Sequence, residues 1–265
     1  MRGMLFRFIQ ISDIHLFQDQ NGALLGVKTQ DSFQAVIDLL KQEKESIHFI
    51  LLSGDLSQDH SKSAYLRLAD MLKPFHVPVY CIPGNHDDPK MMEHIYPCEP
   101  ILNDKHIILK NWQIILLNSQ KSGEVCGYLD EAQFKHLEHC LKAYPKHHSI
   151  VVFHHHPMPV GCKWLDPIGL TNAGEFWKII AKYANVHTVL FGHIHQEFEQ
   201  KTNNIPCYAT PSTCIQFKRK HDAFALEKLP PGYRWVELYE DGSLKTDIKR
   251  TKEYVGVFDV DAKGY

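Results

Sequence analysis

The chain has 265 residues, 44% of them hydrophobic, which is enough for one large domain with a real core. Its formal net charge is −2 and no long basic run appears, so a general nucleic-acid-binding role has no support. No apolar stretch approaches bilayer length, and Leu5-Phe6-Arg7-Phe8-Ile9 is too short and too charged for a signal sequence. Leu5 to Ile11 alternates and then runs apolar, which predicts a strand delivering Asp13 and His15. Phe17 to Gly26 reads as a polar loop. Thr29 or Asp31 suits the cap of a helix carrying Phe33, Val36, Ile37 and Leu40 on one face. His48 to Leu52 predicts a central strand buried on both faces, because Ile50-Leu51-Leu52 is unbroken and apolar. Asp59 to Leu72 predicts a helix, with Asp59 as its cap, Tyr65, Leu68, Met71 and Leu72 inward, and Pro74 as its stop. Val79 to Ile82 is the next strand and ends at Pro83-Gly84. Strand, helix and strand in alternation predict parallel pairing with crossover helices.

In the second half, Ile107 to Leu109 and Trp112 to Leu117 predict a hairpin across Lys110-Asn111. Asp130 caps a helix holding Phe134, Leu137, Cys140 and Leu141. A strand over Ile150 to Phe153, a helix over Glu175 to Tyr183 and a strand over Thr188 to Phe191 follow. Short strands dominate after Glu197: Cys207 to Ala209, Tyr233 to Tyr239 and Leu244 to Ile248, with Asp241-Gly242 as the turn between the last two. The expected class is α/β, two sheets packed face to face with helices outside. Residues 1–250 are expected to form a single domain, and the polar tail 251–265 to be loose or to serve a partner. The seven cysteines are odd in number and lack any C-x-x-C pairing, which predicts idle thiols in a reducing compartment and a soluble cytoplasmic protein. Of the 18 histidines, His136, His139, His147 and His148 read as solvated positions.

Chemistry gathers at five predicted strand ends. Gly54-Asp55 follows the buried central strand, where an unpaired carboxylate is costly and calls for a cation. Asp13-Ile14-His15 places two donors two residues apart, so that an extended segment would aim both at one ion. Gly84-Asn85-His86-Asp87 adds a neutral oxygen donor. In His154-His155-His156-Pro157, three adjacent imidazoles cannot all face one site. Gly192-His193-Ile194-His195 repeats the two-apart spacing. Singly each histidine is an ordinary polar residue, but five compatible donor sets at five strand ends point to metal, with Asp55 between two ions.

This series, in this order from Asp13 to His195, resembles the calcineurin-like metallophosphoesterase superfamily. Within it, Gly161-Cys162-Lys163-Trp164-Leu165-Asp166, Asn172-Ala173-Gly174-Glu175 and the run from Ala209 to Phe217 are similar to the bacterial class III cyclic-nucleotide phosphodiesterases. The resemblance implies a four-layer αββα metallophosphoesterase fold. It implies that Asp13, His15 and His195 hold one divalent ion, that Asn85, His154 and His193 hold the other, and that Asp55 bridges. His15, Asp55, Asn85, His86 and His195 would border the substrate, with His86 meeting the phosphate and leaving oxygen and Asp87 orienting it. His155 and His156 would be neighbours of unassigned role. The implied activity is hydrolysis of 3′,5′-cyclic AMP to 5′-AMP.

The physics agrees. Phosphodiester hydrolysis needs a nucleophile at neutral pH and neutralisation of an anionic phosphate. Two cations roughly 3.5–4 Å apart supply both, sharing a hydroxide and clamping the phosphoryl oxygens. Oxygen and imidazole donors without thiolate suit Fe2+ or Mn2+, with Zn2+ and Co2+ as alternatives. Loops His156 to Asn172 and Tyr208 to Lys218 would choose the substrate, and Trp164 and Phe217 read as packing anchors or adenine stacks. Two other readings stand beside this one: a different phosphodiesterase on the same core, acting on cyclic GMP, a glycerophosphodiester or a nucleotide, and a non-catalytic scaffold. The expected partner is a small cyclic nucleotide, with no nucleic acid and no membrane.

Overall fold

Alternation along the central strands assigns each residue to a layer. In Phe49–Ser53, Ile50 and Leu52 join Phe33, Val36, Tyr65 and Leu68 from two helices, whereas Phe49 and Leu51 face Trp112, Ile114, Val152 and Leu190 of a second sheet. Val151, Phe153, Val189 and Phe191 of that second sheet point the other way, onto Leu137, Leu141, Phe176 and Ile180. Three apolar cores therefore separate four layers: helices, sheet, sheet, helices. The structure, a computed structural model, describes residues 3–252, 256–259 and 262–264.

The first half runs β1 Met4–Ile11, β2 Ala23–Leu24, β3 Val27–Lys28, α1 Thr29–Leu40, β4 Phe49–Ser53, α2 Lys62–Leu72, β5 Val79–Ile82, α3 Pro89–Ile95 and β6 Ile101–Leu102. The second runs β7 His106–Leu109, β8 Trp112–Leu116, α4 Glu131–Ala143, β9 His148–Val152, α5 Ala173–Ile180, β10 Val186–Phe191, β11 Phe198–Thr202, β12 Ile205–Ala209, β13 Gly232–Tyr239 and β14 Leu244–Arg250. Among the described residues the two large sheets have six strands each, ordered β14-β13-β1-β4-β5-β6 and β11-β12-β10-β9-β8-β7. β1, β4, β5 and β6 are parallel; β13 pairs antiparallel with β1, and β14 antiparallel with β13. β8, β9, β10 and β12 are parallel and flanked by antiparallel β7 and β11. Gln10 Nε2 donates to Ser53 Oγ at 3.0 Å and to the Phe191 carbonyl at 3.0 Å, pinning the carboxyl ends of the two sheets together. Ligands of parallel sheets bind at such ends.

The class and layers match the expectation, and several elements differ in detail. α2 begins at Lys62, capped by Ser61 Oγ, which accepts from Ala64 N. Asp59 is not the cap, because its carboxylate is held by Gln18 N, Ser57 Oγ and Ser61 N. α1 starts at Thr29 with no side-chain cap bond, and α5 lies earlier than expected. The β2–β3 pair interrupts the expected loop, and α3, β6 and β11 were not anticipated. No helix among the described residues is long and apolar enough to cross a membrane.

All seven cysteines are free thiols, and only Cys98 and Cys126 are partly exposed. Burial pushes Cys81 and Cys140 up to about 11 and Cys207 up to about 12. Thiolate is the reactive form. Ellman's reagent is therefore expected to titrate at most Cys98 and Cys126 in the native protein and all seven after denaturation. Prompt native reaction of three or more thiols would contradict this packing.

Candidate metal centre

Five turns close over the pinned sheet ends, and the backbone ties them before any side chain does. Asp13 N donates to Gly54 O at 3.0 Å, Ile14 N and His15 N to Asp55 O at 2.8 and 2.9 Å, and Leu16 N to Leu56 O at 3.1 Å. Gly54 and Gly84 permit the approach. A Cβ on Gly54, whose φ is +100°, would strike the His154 ring, and one on Gly84 would strike the Asp55 carboxylate. Asp13, His15, Asp55, His193 and His195 all lie in the left-handed region, with φ between 48° and 68°. The extended geometry expected for Asp13 and His15 is thus corrected: two left-handed residues, not strand alternation, turn both side chains inward.

The side chains form two groups. Asp13, His15, Asp55 and His195 bring one donor atom each within 4.8 Å of one another, and so do His154, His155 and His193. All seven are buried. Asp55 Oδ2 reaches both groups, 3.2 Å from His154 Nε2 and 3.8 Å from His15 Nε2. Asp13 Oδ1 lies 3.4 Å from His195 Nε2 and 3.9 Å from His154 Nε2. Asn85 follows Gly84 on the rim, and the next residue, His86, donates its N–H to Asp55 Oδ1 at 2.9 Å.

Each ring is oriented through its far nitrogen. His154 Nδ1 donates to Ser53 O at 2.7 Å, His195 Nδ1 to Ile215 O at 3.0 Å, and His193 Nε2 to Ile168 O at 3.0 Å. Such bonds to carbonyl oxygens fix the tautomer of metal-binding histidines. His155 differs: its Nδ1 meets Ser119 Oγ at 2.8 Å and its Nε2 donates to Val125 O at 3.1 Å, which commits both nitrogens. His156 is buried and stacks on His193, with centroids 5.6 Å apart at 19°.

A divalent pair fits these residues. The buried polar atoms lacking a hydrogen-bond partner among the described residues include Asp13 Oδ2, Asp55 Oδ2, Asn85 Oδ1, His154 Nε2 and His193 Nδ1. Buried polar atoms are ordinarily satisfied, and these five point to a missing electrophile. His15 Nε2 and His195 Nε2 face each other at 3.2 Å while His195 holds its proton on Nδ1. Burial pushes His15 down to about 3 despite Asp55. Burial would also lower His154, but the Asp55 carboxylate outweighs it and holds that ring at about 9. Burial prevails at Asp13, raising it to about 7. At Asp55 the His154 ring overcomes burial and keeps the carboxylate well below its usual range. Cations bound here would take the place of the His154 proton.

His86 stands at the open side, its ring edge-on to His15 with centroids 5.1 Å apart. Asp87 does not orient it, contrary to expectation. The Asp87 carboxylate accepts from Leu56 N, Ser57 N, Gly84 N and Tyr65 Oη at 2.9–3.1 Å, so it clamps the turns that carry Asp55 and Asn85. Gln58 does touch His86, its Nε2 lying 3.2 Å from His86 Nδ1. A cavity of about 470 Å³ opens beside these groups, bordered by His86, His193, Trp164, Phe217, Lys263 and Gly264. Phe217 is buried and stacks on His195 at 4.2 Å and 14°, and Trp164 packs edge-on against Phe217 at 5.0 Å. Asn118 and Asp166 pin loops, accepting from Gln120 N and Val160 N.

Comparison with known proteins agrees with this geometry. The calcineurin-like phosphoesterase family model matches residues 6–197. The 3′,5′-cyclic adenosine monophosphate phosphodiesterase CpdA of Haemophilus influenzae is 42% identical over 264 residues, covering 98% of this chain and 96% of that protein. Among solved structures, a dimetal phosphatase from Danio rerio superposes with a TM-score of 0.67 at 15% identity, over 94% of this chain and all of that one. GAP50, the anchor in the inner membrane complex of Plasmodium, reaches 0.64 at 15% identity over 98% of this chain and 90% of its own. At such identity the structures speak for the fold alone, but the family match spans all five turns, and the chain belongs to the calcineurin-like phosphoesterase family.

Proposed function

We propose that the protein hydrolyses 3′,5′-cyclic AMP to 5′-AMP with two divalent ions. The observation that carries this reading is the near full-length match to a relative of that name, which extends well past the metal turns into the loops that border the cavity. In this reading Asp13, His15 and His195 hold one ion, Asn85, His154 and His193 the other, and Asp55 both. The bound ions would acidify water and neutralise charge on the phosphoryl oxygens.

The chain's own residues do the rest. Left-handed backbone and carbonyl acceptors preset the donor atoms, so little reorganises when the site is loaded. The Asn85 amide N–H is available to a phosphoryl oxygen. His86 stands on the solvent side of Asp55, where the 3′-oxygen would leave, and offers it a hydrogen bond or a proton. Asp87 acts as a positioning residue through the backbone of Leu56, Ser57 and Gly84. Trp164 and Ile168 from one loop and Phe217 from another border the cavity and would meet the nucleoside. Free thiols suit a cytoplasmic location. Oxygen and imidazole donors favour Fe2+ or Mn2+ over Ca2+.

The test is turnover of protein loaded with Mn2+, Fe2+, Zn2+ or Co2+ on cyclic AMP, cyclic GMP, glycerophosphodiesters and p-nitrophenyl esters. The highest kcat/KM is expected for cyclic AMP, with 5′-AMP as product. A higher value for a glycerophosphodiester, or 3′-AMP as product, would overturn the assignment.

A further inference from the structure

His15 and His86 come from different turns, and the side chain of Gln58 joins them. Gln58, three residues beyond Asp55, has Oε1 2.6 Å from His15 Nδ1 and Nε2 3.2 Å from His86 Nδ1. An amide accepts only at oxygen and donates only from nitrogen. His15 Nε2 faces the Asp13, Asp55 and His195 donors, so a His15 that offers a lone pair to a cation must carry its proton on Nδ1. That proton needs an acceptor, which turns the Gln58 oxygen toward His15. The Gln58 nitrogen is then aimed at His86 Nδ1, which has to accept. The reverse amide orientation would aim an N–H at His15 Nδ1 and put the His15 proton on Nε2, where it would point at His195 Nε2 and occupy the lone pair that a cation needs.

We infer that Gln58 is a positioning residue which, with His15 in its metal-binding form, fixes neutral His86 as the Nε2–H tautomer and so gives it a donor edge for the departing oxygen. This rests on the proposed roles of His15 and His86. The adjacent acid is not available for the task, since Asp87 is spent on three backbone N–H groups and Tyr65. Gln58 thereby links the state of a metal ligand to the state of the leaving-group donor through two hydrogen bonds.

The test is long-range 1H–15N correlation on full-length, zinc-loaded protein labelled in histidine, with the His86 signals identified by their loss in His86→Gln. The wild type is expected to show Nε2 protonated and Nδ1 as acceptor. Gln58→Met should blend the two nitrogen shifts, and Gln58→Glu, which offers only acceptors, should place a proton on Nδ1. Zinc stoichiometry at saturating metal should hold in both. Cyclic AMP turnover by Gln58→Met should fall by about 10–100-fold, as for other partners of metal-binding histidines, and bis(p-nitrophenyl) phosphate turnover much less. A wild-type His86 protonated on Nδ1, or a Gln58→Met variant with unchanged shifts and turnover, would overturn the relay. Absence of wild-type turnover of cyclic AMP would instead overturn the proposed function, and the His86 shifts would still decide the relay.

Discussion

Asp55→Ala is expected to lose metal and turnover together. Its carboxylate reaches both donor groups through one oxygen, lying 3.2 Å from His154 and 3.8 Å from His15, nearer to His154 than Asp13 comes at 3.9 Å. Without it, Asp13 is the remaining carboxylate in a pocket of imidazoles. Lewis-acid stabilisation of a phosphoryl oxygen is worth several kcal/mol. At about 1.36 kcal/mol per decade, the rate should fall by about a thousandfold or more. The turn itself should survive, because Ile14 and His15 bond to the backbone carbonyl of Asp55 and not to its side chain. Thermal melts distinguish metal loss from misfolding. Ligands that bind the native state raise its melting temperature, so metal should stabilise the wild type and leave Asp55→Ala unchanged. Two ions per chain at full activity in that variant would remove the bridging role.

His86→Ala should behave in the opposite way, keeping its metal and losing turnover. The backbone N–H of residue 86 holds Asp55 Oδ1, and alanine retains that bond. The imidazole lies at the open side, outside both donor groups. Loss of a proton or hydrogen-bond donor to the leaving oxygen should cost roughly a hundredfold or more on cyclic AMP. A p-nitrophenolate leaves without such help, so bis(p-nitrophenyl) phosphate should lose far less. Equal losses on both substrates would recast His86 as a group that binds phosphate and does not assist departure. An unchanged rate on cyclic AMP would remove it from the mechanism.

The donor set was legible in the sequence because the chemistry demands particular residue types at strand ends, and Asp13, His15, Asp55, His154, His193 and His195 do converge. The manner of convergence was not legible. Strand spacing suggested extended pairs, whereas left-handed backbone performs the turn, and nothing in D-x-H or H-x-H announces a positive φ. Asp87 misled because adjacency to His86 is a one-dimensional fact, while its partners Leu56, Ser57 and Tyr65 lie 22 to 31 residues earlier. Gln58 gave no signal, since a glutamine in a polar loop has neither periodicity nor unusual chemistry. β11 was missed because a polar edge strand does not alternate. α3 could have been found: Asp88 before Pro89 is a capping signature, and its carboxylate does accept from Lys90 N and Met91 N.

The left-handed turns carry a consequence for anyone engineering this scaffold. Each such residue costs about 1 kcal/mol or more relative to glycine. Five of them amount to about 5 kcal/mol, comparable with the whole net stability of an ordinary domain. A campaign that selects only for heat resistance would therefore drift toward glycine or asparagine at positions 13, 15, 55, 193 and 195. It would deliver a sturdier protein emptied of its chemistry, so any such selection should be run under a simultaneous demand for catalysis.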